Sequence, residues 1–249
     1  AYGIDNPKMP IKKLYAAYYC HWAIWASSVS SGYLRNIKEA YLFTDDPKYA
    51  RIGAVMVDRI ADVYPTLNIA LDKDGVHTRQ YFLNGYEGRA LGSIAETGVA
   101  ADLAQAYDAF YDIYEDPAVL NFLRDKAVRY NLAEHIGNDK STPTHIRQNA
   151  EDRILRDIFE SCKTGKILGN FGMHQSALGY AAIALDCEPE TSEYIDWILR
   201  SGKETGYTEV TGGNVYNTLL SGVDYNGHGS EVSPGYNSMW VSQIQLLAD

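Results

Sequence analysis

Along most of the chain apolar residues recur at intervals of three and four, the spacing that gives one face of an α-helix. The pattern predicts helices over residues 11–28, 32–43, 47–64, 91–114, 117–135, 144–162, 172–185, 190–201 and 238–247. The stripe over 47–64 is Tyr49, Ile52, Val55, Met56, Arg59, Ile60 and Val63. Thr44-Asp45-Asp46-Pro47 separates it from the helix before, with proline at the first helical position, so the two form a helical hairpin. Asp116-Pro117 is a second start signal of the same kind. Residues 206–221 carry Gly212-Gly213 among Thr, Val and Tyr and are compatible with a helix or a short strand. Convincing alternating runs are absent. The expectation is an all-α chain of antiparallel hairpins forming one domain over residues 1–249. Periodicity leaves an open bundle, a solenoid and a closed α/α toroid equally open.

Three stretches break the helical pattern and carry polar chemistry. Residues 65–90 form a long loop with aromatic and basic side chains, and long loops in compact domains tend to serve function. By loop position and residue type, Arg79, Tyr81, Tyr86 and Arg89 are candidate contacts for a bound molecule, as is Trp240 further on. The second stretch is Gly169-Asn170-Phe171-Gly172-Met173-His174-Gln175, which leads into an apolar helix. Asn170 is a favourable N-cap type and predicts a helix start near Gly172. The free N–H groups of that start, with Asn170, His174 and Gln175 around them, suit an anion. The third is the glycine-rich run from Asp224 to Asn237, which holds His228, Glu231 and Tyr236 and precedes the last helix.

Bulk properties narrow the partners. At 249 residues and 46% hydrophobic content the chain can bury a core, and its net charge of −10 argues against nucleic acid. Aromatic residues make up 12%, with 20 Tyr, whose flat face and polar tip suit sugar rings and helix packing alike. Cys20, Cys162 and Cys187 form no disulfide framework; Cys20 and Cys187 lie in apolar patterns and are expected in the core. His21, His77, His135, His145, His174 and His228 have no ligand spacing, so neither a metal nor another cofactor is expected. No apolar run reaches the roughly 18 residues of a membrane span. The chain begins at Ala1 and stops inside the pattern of residues 241–249, which reads as a piece of a longer protein.

The second and third stretches together fit β-elimination at a uronic acid. The hydrogen to be removed lies beside a carboxylate, whose charge must first be neutralised by hydrogen-bond donors; a base must then take the proton, and an acid must protonate the leaving oxygen. Asn170 with His174 suits the first task, and Tyr236 the other two. A free tyrosine has a pKa of about 10 and needs nearby positive charge or donors to act near neutrality. His174 and His228 are candidates for that help, and Pro234-Gly235 would hold Tyr236 on a turn ahead of the helix. Each residue also has a structural reading: Asn170 as a cap, His174 on a helix face, Tyr236 as a buried aromatic, Glu231 as a solvated carboxylate. His228, between two glycines, fits a core least well.

These segments resemble the helical domain of heparinase II/III-like polysaccharide lyases, the group that includes several alginate lyases. Gly169 to Gln175 is similar to that family's catalytic-asparagine segment, and Glu231-Val232-Ser233-Pro234-Gly235-Tyr236 to the segment bearing its catalytic tyrosine. The hairpin ending Asp58-Arg59-Ile60-Ala61-Asp62-Val63-Tyr64-Pro65 and the run Leu103-Ala104-Gln105-Ala106-Tyr107-Asp108 are also similar. The resemblance implies an α/α toroid, incomplete here, and cleavage of an acidic polysaccharide. Asn170 would neutralise the carboxylate and Tyr236 would be base and acid; Gln175, His228 and Glu231 would contact sugar. Some members carry a histidine beside the asparagine; here that place holds Phe171 and the nearest histidine is His174. The family's C-terminal β-sandwich, which supplies a further catalytic His or Tyr, is absent from this chain, so the piece alone is expected to turn over slowly or not at all. The size of such a substrate implies a periplasmic or secreted bacterial protein.

Two other readings remain: a carbohydrate-binding toroid without catalysis, and a glycoside hydrolase on a toroid. The latter needs two carboxylates flanking a bond. Glu96, Asp224 and Glu231 are available, with no spacing that selects a pair.

Overall fold

A computed structural model describes residues 24–26, 28–29, 32–67, 88–91, 94–202, 204–205, 209–230 and 233–248. The chain is all-α in class. Its helices are α1 (Tyr33–Thr44), α2 (Pro47–Ala61), α3 (Ala95–Ala109), α4 (Pro117–Arg129), α5 (Leu132–Ile136), α6 (Pro143–Ala150), α7 (Arg156–Lys163), α8 (Met173–Leu185), α9 (Glu190–Leu199) and α10 (Pro234–Ala248). Three of them start at an acceptor followed by proline. Asp46 accepts from Lys48 N at 3.0 Å, Asp116 from Ala118 N at 2.8 Å, and Thr142 from His145 N at 3.1 Å. In each, proline occupies a position whose missing N–H costs the helix nothing.

The structure departs from the periodicity at several ends. The helix expected over 117–135 is two, because Asn131 takes a left-handed conformation (φ 50°) between α4 and α5. Helix α3 stops at Ala109 and a 3-10 stretch, Tyr111–Glu115, follows. One π-helical turn, Glu151–Leu155, joins α6 to α7. The ambiguous run 206–221 holds a short strand, β2 (Glu209–Val210), paired antiparallel with β1 (Glu204–Thr205) just ahead of it, and ends in a single helical turn (Val215–Asn217) and a π turn (Thr218–Gly222). Cys187 is exposed rather than in the core, while Cys162 is buried.

The core is built of α2, α3, α6 to α9 and their connections, around Tyr64, Tyr107, Phe110, Tyr114 and Trp197. Within it lies an ionic cluster. The Nζ of Lys140, fully buried, sits 2.6 Å from Asp58 and 2.5 Å from Asp62, and Lys126 Nζ lies 2.6 Å from each of the same carboxylates. Two charges of each sign offset one another where a lone charge would be very costly. The cluster ties α2 to α4 and to the strand of chain entering α6.

Helices α3 and α8 are buried over much of their circumference. Along α8 the buried residues are His174 through Gly179, then Ala181, Ala182 and Leu185. A helix apolar on every side belongs inside a layer of others. Helix α10, in contrast, contains no buried residue.

Candidate functional site

The site is assembled where α10 docks on α8. Trp240 meets Phe171 with ring centroids 4.9 Å apart. One turn on, Gln243 lies against Gly172, where an added Cβ would stand 2.5 Å from the Gln243 side chain. Ser176 Oγ donates to Gln243 Oε1 at 2.9 Å. Leu247 packs against Gly179, again leaving no space for a Cβ. Both helices advance in step through these contacts, so they run parallel and their N-termini lie at one end of the molecule. Tyr236, Trp240, Gln243 and Leu247 follow one another at i, i+4, i+7 and i+11, a single face of α10.

The start of α8 differs from the expectation. Its N-cap is Gly172, not Asn170, and Gly172 has φ 92°, a left-handed value that suits glycine. Gln175 completes the start. Its Oε1 accepts from Gly172 N at 2.9 Å and its Nε2 donates to Gly213 O at 2.8 Å. Both ends of this buried side chain are therefore engaged inside the protein. Asn170 contributes its carbonyl, which accepts from Met173 N at 3.0 Å. Its side-chain amide is half-buried and has no partner among the described residues.

His174 points into the core. It is 1% exposed, its ring meets Trp197 nearly edge-on at 6.5 Å, and neither ring nitrogen has a partner among the described residues. Burial pulls its pKa down to about 4, so the ring is neutral near pH 7.

The third stretch folds back on itself. Asp224 accepts from Asn226 N and His228 N, each at 2.9 Å, Asp224 N donates to His228 O at 2.8 Å, and Val223 bridges Gly229. Gly229 presses on α10: a Cβ there would stand 2.6 Å from the Trp240 ring and 2.8 Å from Asn237 Oδ1. The turn thus leaves His228 exposed beside the first turns of α10, with no side-chain partner among the described residues. Helix α10 begins at Pro234, earlier than the pattern predicts, and takes Tyr236 into its first turn. Tyr236 is 48% exposed, and its hydroxyl also lacks a partner among the described residues. It lies one turn, about 6 Å, before Trp240 on the same face.

Three segments, carrying Asn170, His228 and Tyr236, thus converge on the Phe171–Trp240 pair. Trp240 is half-buried, with its indole N–H buried and unbonded among the described residues. Arg89 lies elsewhere: its guanidinium pairs with Asp157 at 2.7 Å and donates to Pro65 O at 2.9 Å. Glu96 is fully buried and accepts from Tyr64 Oη at 2.8 Å and from Ala90 N and Leu91 N at 2.9 and 2.7 Å. Arg79, Tyr81, Tyr86 and Glu231 lie outside the described residues. Among those described, no cluster of His, Cys, Asp or Glu is placed to hold a metal, and no helix is long and apolar enough to cross a membrane. Sequence reasoning missed Gln243 and Gly229, although the i, i+4, i+7, i+11 spacing from Tyr236 to Leu247 was available to find the first. Compared with protein-family models, with curated proteins and with solved structures, the chain finds no match.

Proposed function

We propose that the chain is the helical part of a polysaccharide lyase that cleaves a uronate-containing acidic polysaccharide by β-elimination. The observation that carries this reading is that three segments meet at one aromatic contact by the N-termini of two parallel helices, each bearing a polar side chain (Asn170, His228, Tyr236) with no partner among the described residues. The carboxylate of the sugar is assigned to the Asn170 amide and the positive end of α8. Neutralising it acidifies the hydrogen on the adjacent carbon. Tyr236, as phenolate, removes that proton; the electron pair forms the new carbon–carbon double bond; the bond to the glycosidic oxygen breaks. The same phenol then protonates the departing oxygen. His228, beside the first turns of α10, is assigned to favouring the phenolate.

His174 is enclosed, so its assignment is indirect: its neutral ring supports the start of α8 from beneath. The α/α toroid belongs to this proposal too, with α3, α8 and α10 on its inner ring. It is supported by the burial of α3 and α8 and by the seat of Gly169 against Thr97, at the start of α3. A β-sandwich domain outside residues 1–249 completes the enzyme in this reading. The hydrolase reading loses ground because Glu96 is enclosed and Asp224 holds its own turn.

The test is to mix the full-length protein with alginate, heparin-type and chondroitin-type polymers and follow ultraviolet absorbance of unsaturated uronate. A rise with one polymer, abolished by Tyr236→Phe with the helical circular dichroism intact, is expected. No rise with any acidic polymer refutes the assignment, and retained turnover in Tyr236→Phe removes Tyr236 from the chemistry.

A further inference from the structure

Helix α10 carries Tyr236 yet has no buried residue, so its position depends on a small number of contacts. Among the described residues Trp240 is the side chain that reaches all three segments of the site. It packs on Phe171, next to Asn170; it fills the space that a Cβ on Gly229 would need, next to His228; and it lies one turn from Tyr236 on its own helix. The Gly222 end of the preceding π turn is also near its ring, 3.9 Å from the position of a Cβ there. Gln243 repeats the arrangement one turn deeper, wedged against Gly172 and bonded to Ser176.

Resting on the lyase reading, we propose that Trp240 is a positioning residue for the reaction: its indole sets the separation of the Tyr236 hydroxyl from the Asn170 amide. It acts through the placement of both groups and not by touching the reacting atoms. The sequence assigns Trp240 to sugar contact instead, and the two roles differ in what they do to kinetics. A positioning residue governs kcat, because misplacing a reacting group by about 1 Å costs on the order of 100-fold in rate. A sugar platform governs KM.

The experiment measures kcat and KM on whichever of the three polymers the full-length protein cleaves, for Tyr236→Phe, Trp240→Ala, Trp240→Phe and Gly229→Ala. The expected result is that Trp240→Ala lowers kcat about 100-fold with KM within about threefold, and that Trp240→Phe, which keeps an aromatic ring on Phe171, recovers most of the loss. Gly229→Ala displaces the indole without deleting it and is expected to lower kcat in the same way, which keeps the test decisive if Trp240→Ala fails to fold. Turnover abolished in Tyr236→Phe but a kcat unmoved in Trp240→Ala or Gly229→Ala overturns the positioning role alone, and a loss confined to KM makes Trp240 a sugar contact. Full turnover in Tyr236→Phe, or no cleavage of any polymer, overturns the lyase reading and this proposal with it.

Discussion

The buried imidazole of His174 makes the fold acid-sensitive by a calculable amount. Burial holds its folded pKa at about 4, against an ordinary value of 6.5 in the unfolded chain. The unfolded state therefore binds a proton more readily, and stability falls as pH falls. The contribution is fully present above pH 6.5, is lost through the window from 6.5 down to 4, and levels off below it. A gap of that width corresponds to about 3 kcal/mol, with a slope of at most about 1.4 kcal/mol per pH unit. His174→Phe keeps a flat ring against Trp197 and titrates nowhere. At pH 7 the variant loses two buried nitrogens that have no partner among the described residues, which favours it by about 1–3 kcal/mol for each before the cost of the larger ring is subtracted. Urea unfolding of both proteins at pH 7, 6, 5 and 4.5 isolates the histidine, because every other titrating group is common to the two. The variant should gain on the parent steadily from pH 6.5 downward. Parallel stability curves would show that the ring is protonated as easily in the folded state as in the unfolded, and the burial argument would fail.

Lys140→Met leaves Asp58 and Asp62 sharing one cation where they had two, and unfolding in denaturant should register a loss of about 3–5 kcal/mol, the cost of an uncompensated buried charge. Gln175→Leu strands Gly172 N and Gly213 O at once; a loss of about 2–6 kcal/mol is expected from two buried groups at about 1–3 each, and a midpoint unchanged from the parent would refute the role of that amide as the start of α8. In the lyase reading kcat should vary little with salt while KM carries whatever salt dependence exists; a kcat that falls steeply between low and high ionic strength would place a cation at the reacting centre.

The helix starts at Asp46-Pro47 and Asp116-Pro117 were legible, because cap and proline act within four residues; Thr142-Pro143 starts α6 in the same way but was read one residue late, and Ser233-Pro234 was passed over in favour of a start at 238. The break at Asn131 was not legible: an asparagine inside an apolar pattern is unremarkable until its backbone turns left-handed. The N-cap of α8 was read two residues early, at Asn170 instead of Gly172. Asn170 has the better capping side chain, but the close seat of Gln243 against Gly172 belongs to a helix some seventy residues away, and local sequence cannot report it. The same limit explains the site. Both polar stretches stood out as glycine-rich interruptions ahead of helices, and the structure sets them side by side. Which side chains turn inward did not show. His174 and Gln175 read as site donors because they follow Asn170, yet they fall on the side of α8 that faces the core. Arg89 read as a free loop cation because its partner, Asp157, lies far along the chain.

The charge of the site constrains the chemistry more than its shape does. Residues 169–175, 224–230 and 233–240 contain no lysine or arginine, and the whole chain is strongly acidic. In the lyase reading these three segments bring no cation to the carboxylate, and what they offer it is the Asn170 amide and the first backbone amides of α8. Binding by a cation stabilises the ground-state carboxylate before any reaction begins. Neutral donors hold the carboxylate more weakly at first, and gain strength as the proton leaves and negative charge moves onto the carboxylate oxygens. Interactions that grow toward the transition state raise kcat rather than lowering KM. In the lyase reading, then, Phe171 sets no charged side chain beside the Asn170 amide, and the proton is left to Tyr236.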